Sequence, residues 1–337
     1  MIARRELLAM AAAPFQESAP LIRANRLKAG DSVALITPST EVIEPDSLIM
    51  ARETCEHFGL KAVAMPSVGR RAPNFAESVA GRVSDFHRAW SDPRFAGVFC
   101  VRGGFGSQHI LDRIDYGLIR SNPKVFLGYS DITALHLAIH KRTGLVTFHG
   151  PVPLSGFTGY TQEHFRKALF GTGPVGNVSN PAENNRLRPQ HRLRAIRPGK
   201  ASGRLIGGNL TLIASTMGTP HEIDTRGKIL FLEDVGEQIY SIDRMLTHLR
   251  LAGKLQQAAG IVWGECNDCP PKDNKPSSAS PYGLGETIDN HFGDVPGPVL
   301  AGLTIGHTAD QLTLPIGVRA SLDTDRGVLS IEEAATV

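Results

Sequence analysis

At 337 residues the chain exceeds the usual size of one hydrophobic core, which favours two domains or one large α/β unit. Lys and Arg number 36 against 33 Asp and Glu, a formal net charge of +3, and no long basic run occurs, so the electrostatic footprint of a nucleic-acid partner is missing. No segment approaches the ~18 apolar residues of a membrane span, and four cysteines, at 55, 100, 266 and 269, are too few and scattered for a disulfide framework.

The N-terminus carries Arg4 and Arg5 ahead of an alanine-rich stretch that Pro14 breaks. It reads as a frayed helix or as a degenerate twin-arginine export signal. The expected compartment is cytoplasmic, with periplasmic export as the alternative, and residues 1–26 are set apart as an extension. The ordered chain begins near Leu27, and Ser32 to Thr37 is a short apolar run that reads as a buried strand. A helix follows over 46–58, then a strand from Ala62 to Met65 and a helix from Glu77 to Trp90. Gly97 to Val101 is a third buried strand leading into Arg102-Gly-Gly-Phe-Gly106 and a helix from Gln108. The fourth unit is Lys124 to Gly128, followed by a helix from Asp131 to about Lys141.

Continuous Val, Ile and Leu runs alternating with helices indicate a parallel sheet covered on both faces. Residues 27–170 therefore form a doubly wound α/β domain. From Gly171 to about Gly203 the chain is rich in Pro, Gly, Asn and Arg with neither period, and reads as a linker. Beyond it the sequence predicts a helix near 208–217, a strand at 228–232, a helix over 241–251 and a strand at 260–263. Residues 204–337 are expected to be a smaller α+β domain.

Four places could carry chemistry. Gly128-Tyr-Ser-Asp-Ile-Thr133 puts Ser130 at the turn between a buried strand and a helix, the geometry of a nucleophile elbow, although Ile132 stands where the full pattern has glycine; a helix N-cap is the plainer reading of Ser130 and Asp131. The glycines after Arg102 let backbone approach a ligand closely, but no Walker lysine follows. Phe231-Leu-Glu-Asp-Val-Gly-Glu237 ends a strand with three acids, which sit on a solvated loop unless one receives a histidine N–H. Gly306-His307 places a lone histidine in an apolar context, where a structural role is the commoner one. His136 and His140 lack the glutamate of a zinc peptidase and read as helix-face residues. Cys266-Asn-Asp-Cys269 reads as ordinary thiols ahead of a local disulfide or half a zinc site, with no second ligand pair following.

Taken in order, Val101 to Gly106, Gly128 to Thr133, Phe148-His-Gly-Pro151, Phe231 to Glu237 with Ile242-Asp-Arg-Met-Leu246, and Gly306-His-Thr308 with Leu314-Pro-Ile-Gly317 resemble the LD-carboxypeptidase family of serine peptidases, which includes muropeptide carboxypeptidases and microcin C self-immunity peptidases. The resemblance runs from about Leu27 to about Ile331. It implies a flavodoxin-like or amidotransferase-like first domain, Ser130 as nucleophile, Glu233 and His307 as its partners, and backbone N–H groups of Gly104 and Asp131 as oxyanion donors. Arg102 and Gly103 are candidates for substrate contact. Phe105 departs from the family's more frequent Tyr, and the Cys266 to Tyr282 loop is longer than in compact members. The resemblance implies a small muropeptide as substrate, no metal or organic cofactor, and a homodimer. The competing expectations are cleavage of a peptidyl-nucleotide amide, as in the self-immunity branch, and a non-catalytic two-lobed ligand-binding protein.

Overall fold

The computed structural model describes residues 20–182, 187, 190–269 and 282–337. The twin arginines Arg4 and Arg5 and most of the Cys266 to Tyr282 loop lie outside the described residues. Five strands pair in parallel, all but the part-exposed edge strand β2 largely buried: β1 (Ser32–Ile36), β2 (Lys61–Ala64), β3 (Phe95–Cys100), β4 (Val125–Gly128) and β5 (Thr147–His149), in the order β2-β1-β3-β4-β5. Chain order reverses between β1 and β3, and it is outside the carboxyl edge at such a reversal that doubly wound sheets bind ligands. The loops after β1, β3 and β4 meet there.

Helices α1 (Pro45–His57) and α2 (Phe75–Ser91) cross over between these strands. The Asn74 side chain accepts from the Glu77 N–H and caps α2, whose Phe86 and Trp90 pack on Phe126 of β4 at centroid distances near 6 Å. After α3 (Tyr116–Ser121), the helix expected from Asp131 begins two residues later as α4 (Thr133–Thr143), behind a short 3₁₀ turn over Ser130–Ile132. Residues 133–139 of α4 are all buried, because the helix lies between the two sheets and is covered on every side. His136 is therefore fully buried, and His140, at the end of this face, is half-buried: burial holds His136 down at about 3 and His140 at about 4, so both are neutral.

After α5 (Gly159–Phe170), a second sheet combines β6 (Pro174–Val178), β7 (Arg194–Arg197), β8 (Lys200–Asn209), β9 (Ile229–Val235), β10 (Gly260–Asn267), β11 (Val299–Ala301), β13 (Arg319–Asp323) and β14 (Val328–Ala334), ordered β6-β14-β13-β8-β9-β10-β11-β7. Its centre, β8 to β11, is parallel and its flanks antiparallel. The helices of this half are α6 (Leu210–Ser215), α7 (Ile239–Leu251), α8 (Lys254–Gln257) and α9 (Leu284–Phe292). Within 171–203, read from sequence as a linker, β6 and β7 form the two edges of this sheet. Edge strands with polar, partly exposed residues show no clean alternation, which is why neither period is visible there.

The halves interlock. Strand β12 (Leu314–Ile316), from late in the chain, pairs antiparallel with β5 on the edge of the first sheet, a place that tolerates Pro315. The Asn209 N–H donates to Thr133 Oγ1 at 2.9 Å, and Gly208 meets the same side chain so closely that a Cβ there would stand 2.5 Å from the hydroxyl oxygen. The end of β8 is thereby seated on the start of α4, beside the turn that carries Ser130.

Candidate active site

The turn after β4 is built by local constraints. A Cβ on Gly128 would lie 2.6 Å from Ile132 Cγ2, so only glycine lets the chain fold back here. Tyr129 is extended, and Ser130 adopts φ 62°, one of two non-glycine residues with positive φ among the described residues, the other being Asp268. That conformation costs roughly 1–2 kcal/mol for an L residue and turns the half-buried Ser130 hydroxyl off the sheet edge. The alternative of an N-cap does not hold, since no side chain caps either the 3₁₀ turn or α4. Asp131 is occupied elsewhere: its Oδ2 accepts from the Ser39 hydroxyl and, at 2.8 Å, from the Ser107 N–H, and its carbonyl accepts from Ser107 Oγ at 2.6 Å. The side chain thus ties the loops after β1 and β3 to the serine turn, leaving only its backbone for an oxyanion.

The glycine loop packs onto that turn. A Cβ on Gly103 would come within 2.9 Å of Ser130 Cβ, and one on Gly104, at φ 112°, within 2.2 Å of Thr40 Oγ1. Thr40 Oγ1 also accepts from the Phe105 N–H at 3.0 Å. Arg82, missed in the sequence, fixes the loop from behind: its Nη1 donates to the carbonyls of Pro38 and Gly106, each at 2.9 Å. The signal was available, because Arg82 falls on the buried face of α2 with Val79 and Phe86. Arg102 is exposed and near enough to the Tyr129 phenol for its charge to act there. Phe105 is exposed, edge-on to His109.

From the second sheet, β9 delivers Glu233 with no solvent exposure. His307 Nδ1 lies 2.9 Å from Glu233 Oε2; facing an ionised carboxylate, Nδ1 carries the proton and donates. This leaves Nε2 as an acceptor. Gly306 makes the approach feasible, since at φ 92° a Cβ there would stand 2.1 Å from Oε2. The Asn267 side chain donates to the His307 carbonyl and holds the loop from β10. Burial pushes the Glu233 carboxyl up, but the imidazoles of His149 and His307 outweigh it and hold the group down at about 2. Its neighbour Asp234 accepts from Asn209, Thr211 and Val235 and organises the start of α6, while burial and the Glu233 charge push it up to about 6. The three acids of the strand end are thus not equivalent, and only Glu233 meets a histidine.

The two halves meet at Tyr129, whose ring lies against that of His307 with centroids 4.8 Å apart. Ser130, Glu233, His307, Gly103 and the backbone of Gly104 and Asp131 are thereby gathered at one seam. No hydrogen bond joins Ser130 to His307 among the described residues; bonds of this kind commonly tighten only as substrate binds. Cys266 and Cys269 are free thiols beside the end of β9, where Cys266 is in register with Asp234 and Cys269 Sγ donates to the Asn267 carbonyl at 3.4 Å.

Comparison with known proteins agrees with this architecture on both sides of the seam. The model for the LD-carboxypeptidase N-terminal domain matches residues 33–150, and that for the LD-carboxypeptidase C-terminal domain matches residues 202–322. The chain belongs to the LD-carboxypeptidase family. It is 40% identical to a probable murein peptide carboxypeptidase of Bacillus subtilis over 91% of this chain and 93% of that one. It is 31% identical to a murein tetrapeptide carboxypeptidase of Pseudomonas aeruginosa, covering 87% and 94% of the two chains. Among solved structures, a mutant of the microcin C7 self-immunity protein MccF in complex with adenosine monophosphate superposes with a TM-score of 0.81 at 28% identity, covering 94% of this chain and 100% of that one. A muramoyltetrapeptide carboxypeptidase from Oxalobacter formigenes gives 0.76 at 28% identity, with coverage of 90% and 100%. No helix among the described residues is long and apolar enough to cross a membrane.

Proposed function

We propose that this LD-carboxypeptidase family member is a serine peptidase that hydrolyses the L,D bond of a murein tetrapeptide and releases its terminal D-alanine. The observation that carries the reading is the His307 Nδ1 to Glu233 Oε2 hydrogen bond of 2.9 Å at the seam beside the strained Ser130 turn. With Nδ1 committed to the carboxylate, Nε2 takes the Ser130 proton as the hydroxyl attacks the scissile carbonyl. Glu233, held ionised, stabilises the imidazolium that forms. The oxyanion develops against the Gly104 and Asp131 N–H groups, at the amino end of the turn leading into α4. His307 then protonates the leaving amine, and water entering by the same route frees the peptide and regenerates Ser130. Arg102 and Gly103 line the approach, and Arg102 supplies the positive charge for the substrate's free carboxylate. By family resemblance the working unit is a homodimer in the cytoplasm.

Cleavage of a peptidyl-nucleotide amide is the second reading, favoured by the fit to the self-immunity protein. Against it, Trp263, one of two aromatics available as a base platform, is buried against Phe292 with centroids 5.8 Å apart. Incubation with murein tetrapeptide and chromatography of free D-alanine tests the assignment, with a peptidyl-adenylate analogue in parallel. Release of D-alanine alone is the expected result. Cleavage of the nucleotide conjugate alone would transfer the assignment to the second reading, and turnover of neither would sink the peptidase assignment.

A further inference from the structure

The Phe148-His-Gly-Pro151 stretch contains a buried imidazole to which the mechanism above gives no work. His149, the last residue of β5, has no solvent exposure. Its backbone is held between two strands of the first sheet, in register with Gly128 of β4 on one side and Leu314 of β12 on the other. Phe231, Tyr129 and His136 surround its ring at centroid distances of 5.3, 6.2 and 6.3 Å. Its Nε2 points at the triad carboxylate, 3.8 Å from Glu233 Oε1.

Both ends of that gap lack a partner. Glu233 Oε1 and both ring nitrogens of His149 are buried with no hydrogen bond, while Glu233 Oε2 is satisfied by His307. A buried carboxylate oxygen left bare is costly, and the N–H that can reach it with the least movement is His149 Nε2–H. We propose that His149 is a positioning residue for the proposed peptidase site: its Nε2–H donates to Glu233 Oε1, so that one carboxylate is gripped by an imidazole on each oxygen and its plane is fixed for His307. The contact closes by about 1 Å to reach hydrogen-bond length. The groups facing His149 are Glu233 from β9, His136 from α4 and Tyr129 from the serine turn, with His307 on the far oxygen of Glu233 and the Asp234 carboxyl within reach of the Glu233 charge.

The grip has a sign. A donor on Oε1 stabilises the charged carboxylate and draws electron density from Oε2. Without it, Glu233 holds a proton more tightly and accepts more strongly from His307 Nδ1–H, so the His307 imidazolium persists to higher pH. The test is the titration of His307, followed by NMR and assigned with His307→Gln, in the parent, His149→Leu, His149→Phe and His149→Gln proteins. Loss of the donor in the Leu and Phe variants should raise the His307 midpoint by about 0.5 pH unit or more, and Gln, which keeps an N–H, should return it towards the parent.

The same proteins should show kcat for D-alanine release reduced about tenfold in the Leu and Phe variants with KM unchanged, and an acid limb displaced as the NMR midpoint is. Coincident midpoints in all four proteins overturn the proposal, as does a Gln variant that titrates like Leu. Failure of both donor-free variants to fold, beside a Gln variant with a displaced midpoint, overturns it as well. The inference rests on the peptidase reading but separates from it: a displaced midpoint in a protein that releases no D-alanine would uphold the grip on Glu233 and sink the substrate assignment.

Discussion

The two halves of the molecule bring chemistry to the seam by different devices. The first sheet supplies Ser130 from a strand-turn-helix junction in which every neighbouring residue is sterically committed: Gly128 under Ile132, Gly103 against Ser130, and Asp131 bonded to two loops. The second sheet supplies Glu233 from near the end of a buried strand and His307 from a loop whose fit depends on one glycine. Strain is concentrated at the proposed nucleophile, whereas the proposed acid-base pair is formed by close packing and a hydrogen bond. The nucleophile half should therefore tolerate losing its functional atom, and the other half should lose function and stability together.

Ser130→Ala tests the first part most severely. It should lower kcat by about 10⁴-fold or more while leaving the unfolding midpoint almost unchanged, because Ala keeps the φ of 62°. Steady-state kinetics with thermal unfolding would break the comparison if stability fell with activity. Gly306→Ala should do both: a Cβ 2.1 Å from Glu233 Oε2 at φ 92° forces the carboxylate from its place, costing about 10²-fold in kcat and about 2–3 kcal/mol of stability. Gly218→Ala is its control, since that site has φ 77° but open space, and it should lose only about 1 kcal/mol with kcat retained. Gly104→Ala, with a Cβ 2.2 Å from Thr40 Oγ1, should displace an oxyanion donor and reduce kcat by about 10–10³-fold with little change in KM.

Acid sensitivity sharpens the same contrast with a smaller effect. His136 and His140, both on α4, are held near 3 and 4 by burial, below the ordinary value of ~6.5 that the unfolded chain restores. Unfolding takes up protons that the fold refuses, so the stability tied to these two imidazoles is complete above pH ~6.5 and falls as pH drops towards 4, a loss that the raised Asp234 offsets only in part. The depressed Glu233 adds to the loss below the ordinary carboxylate range. Thermal midpoints at pH 7, 5.5 and 4 should decline, and His140→Gln should flatten the decline. An unchanged slope in that variant would place the acid sensitivity elsewhere.

Much of the first half is legible in sequence because β1, β3 and β4 are buried on both faces and read as unbroken apolar runs. The Ser130 turn is legible for the same reason, lying where such a run meets a helix. Glu233 and His307 are not legible singly: an acid at a strand end resembles a loop residue, and a histidine behind a glycine resembles any core imidazole. Only the order of motifs joined them, across 74 residues of sequence separation. Strands β6 and β7 escaped because edge strands lack a dry face, and β12 because three residues with a proline carry no period. Arg82 and His149 were written in the sequence as polar residues at buried positions, yet their partners, backbone carbonyls and a carboxylate from another sheet, have no sequence signature.

The central claim is that two sheets complete one nucleophilic site on Ser130, and trapping the acyl-enzyme tests it most directly. Murein tetrapeptide mixed with the protein, quenched in acid on the millisecond scale and mapped by mass spectrometry, should leave the tripeptide acyl group esterified to the peptide carrying Ser130. The adduct should be absent from Ser130→Ala. D-alanine release that continues undiminished in Ser130→Ala, with no acylated peptide in the parent, would contradict the account.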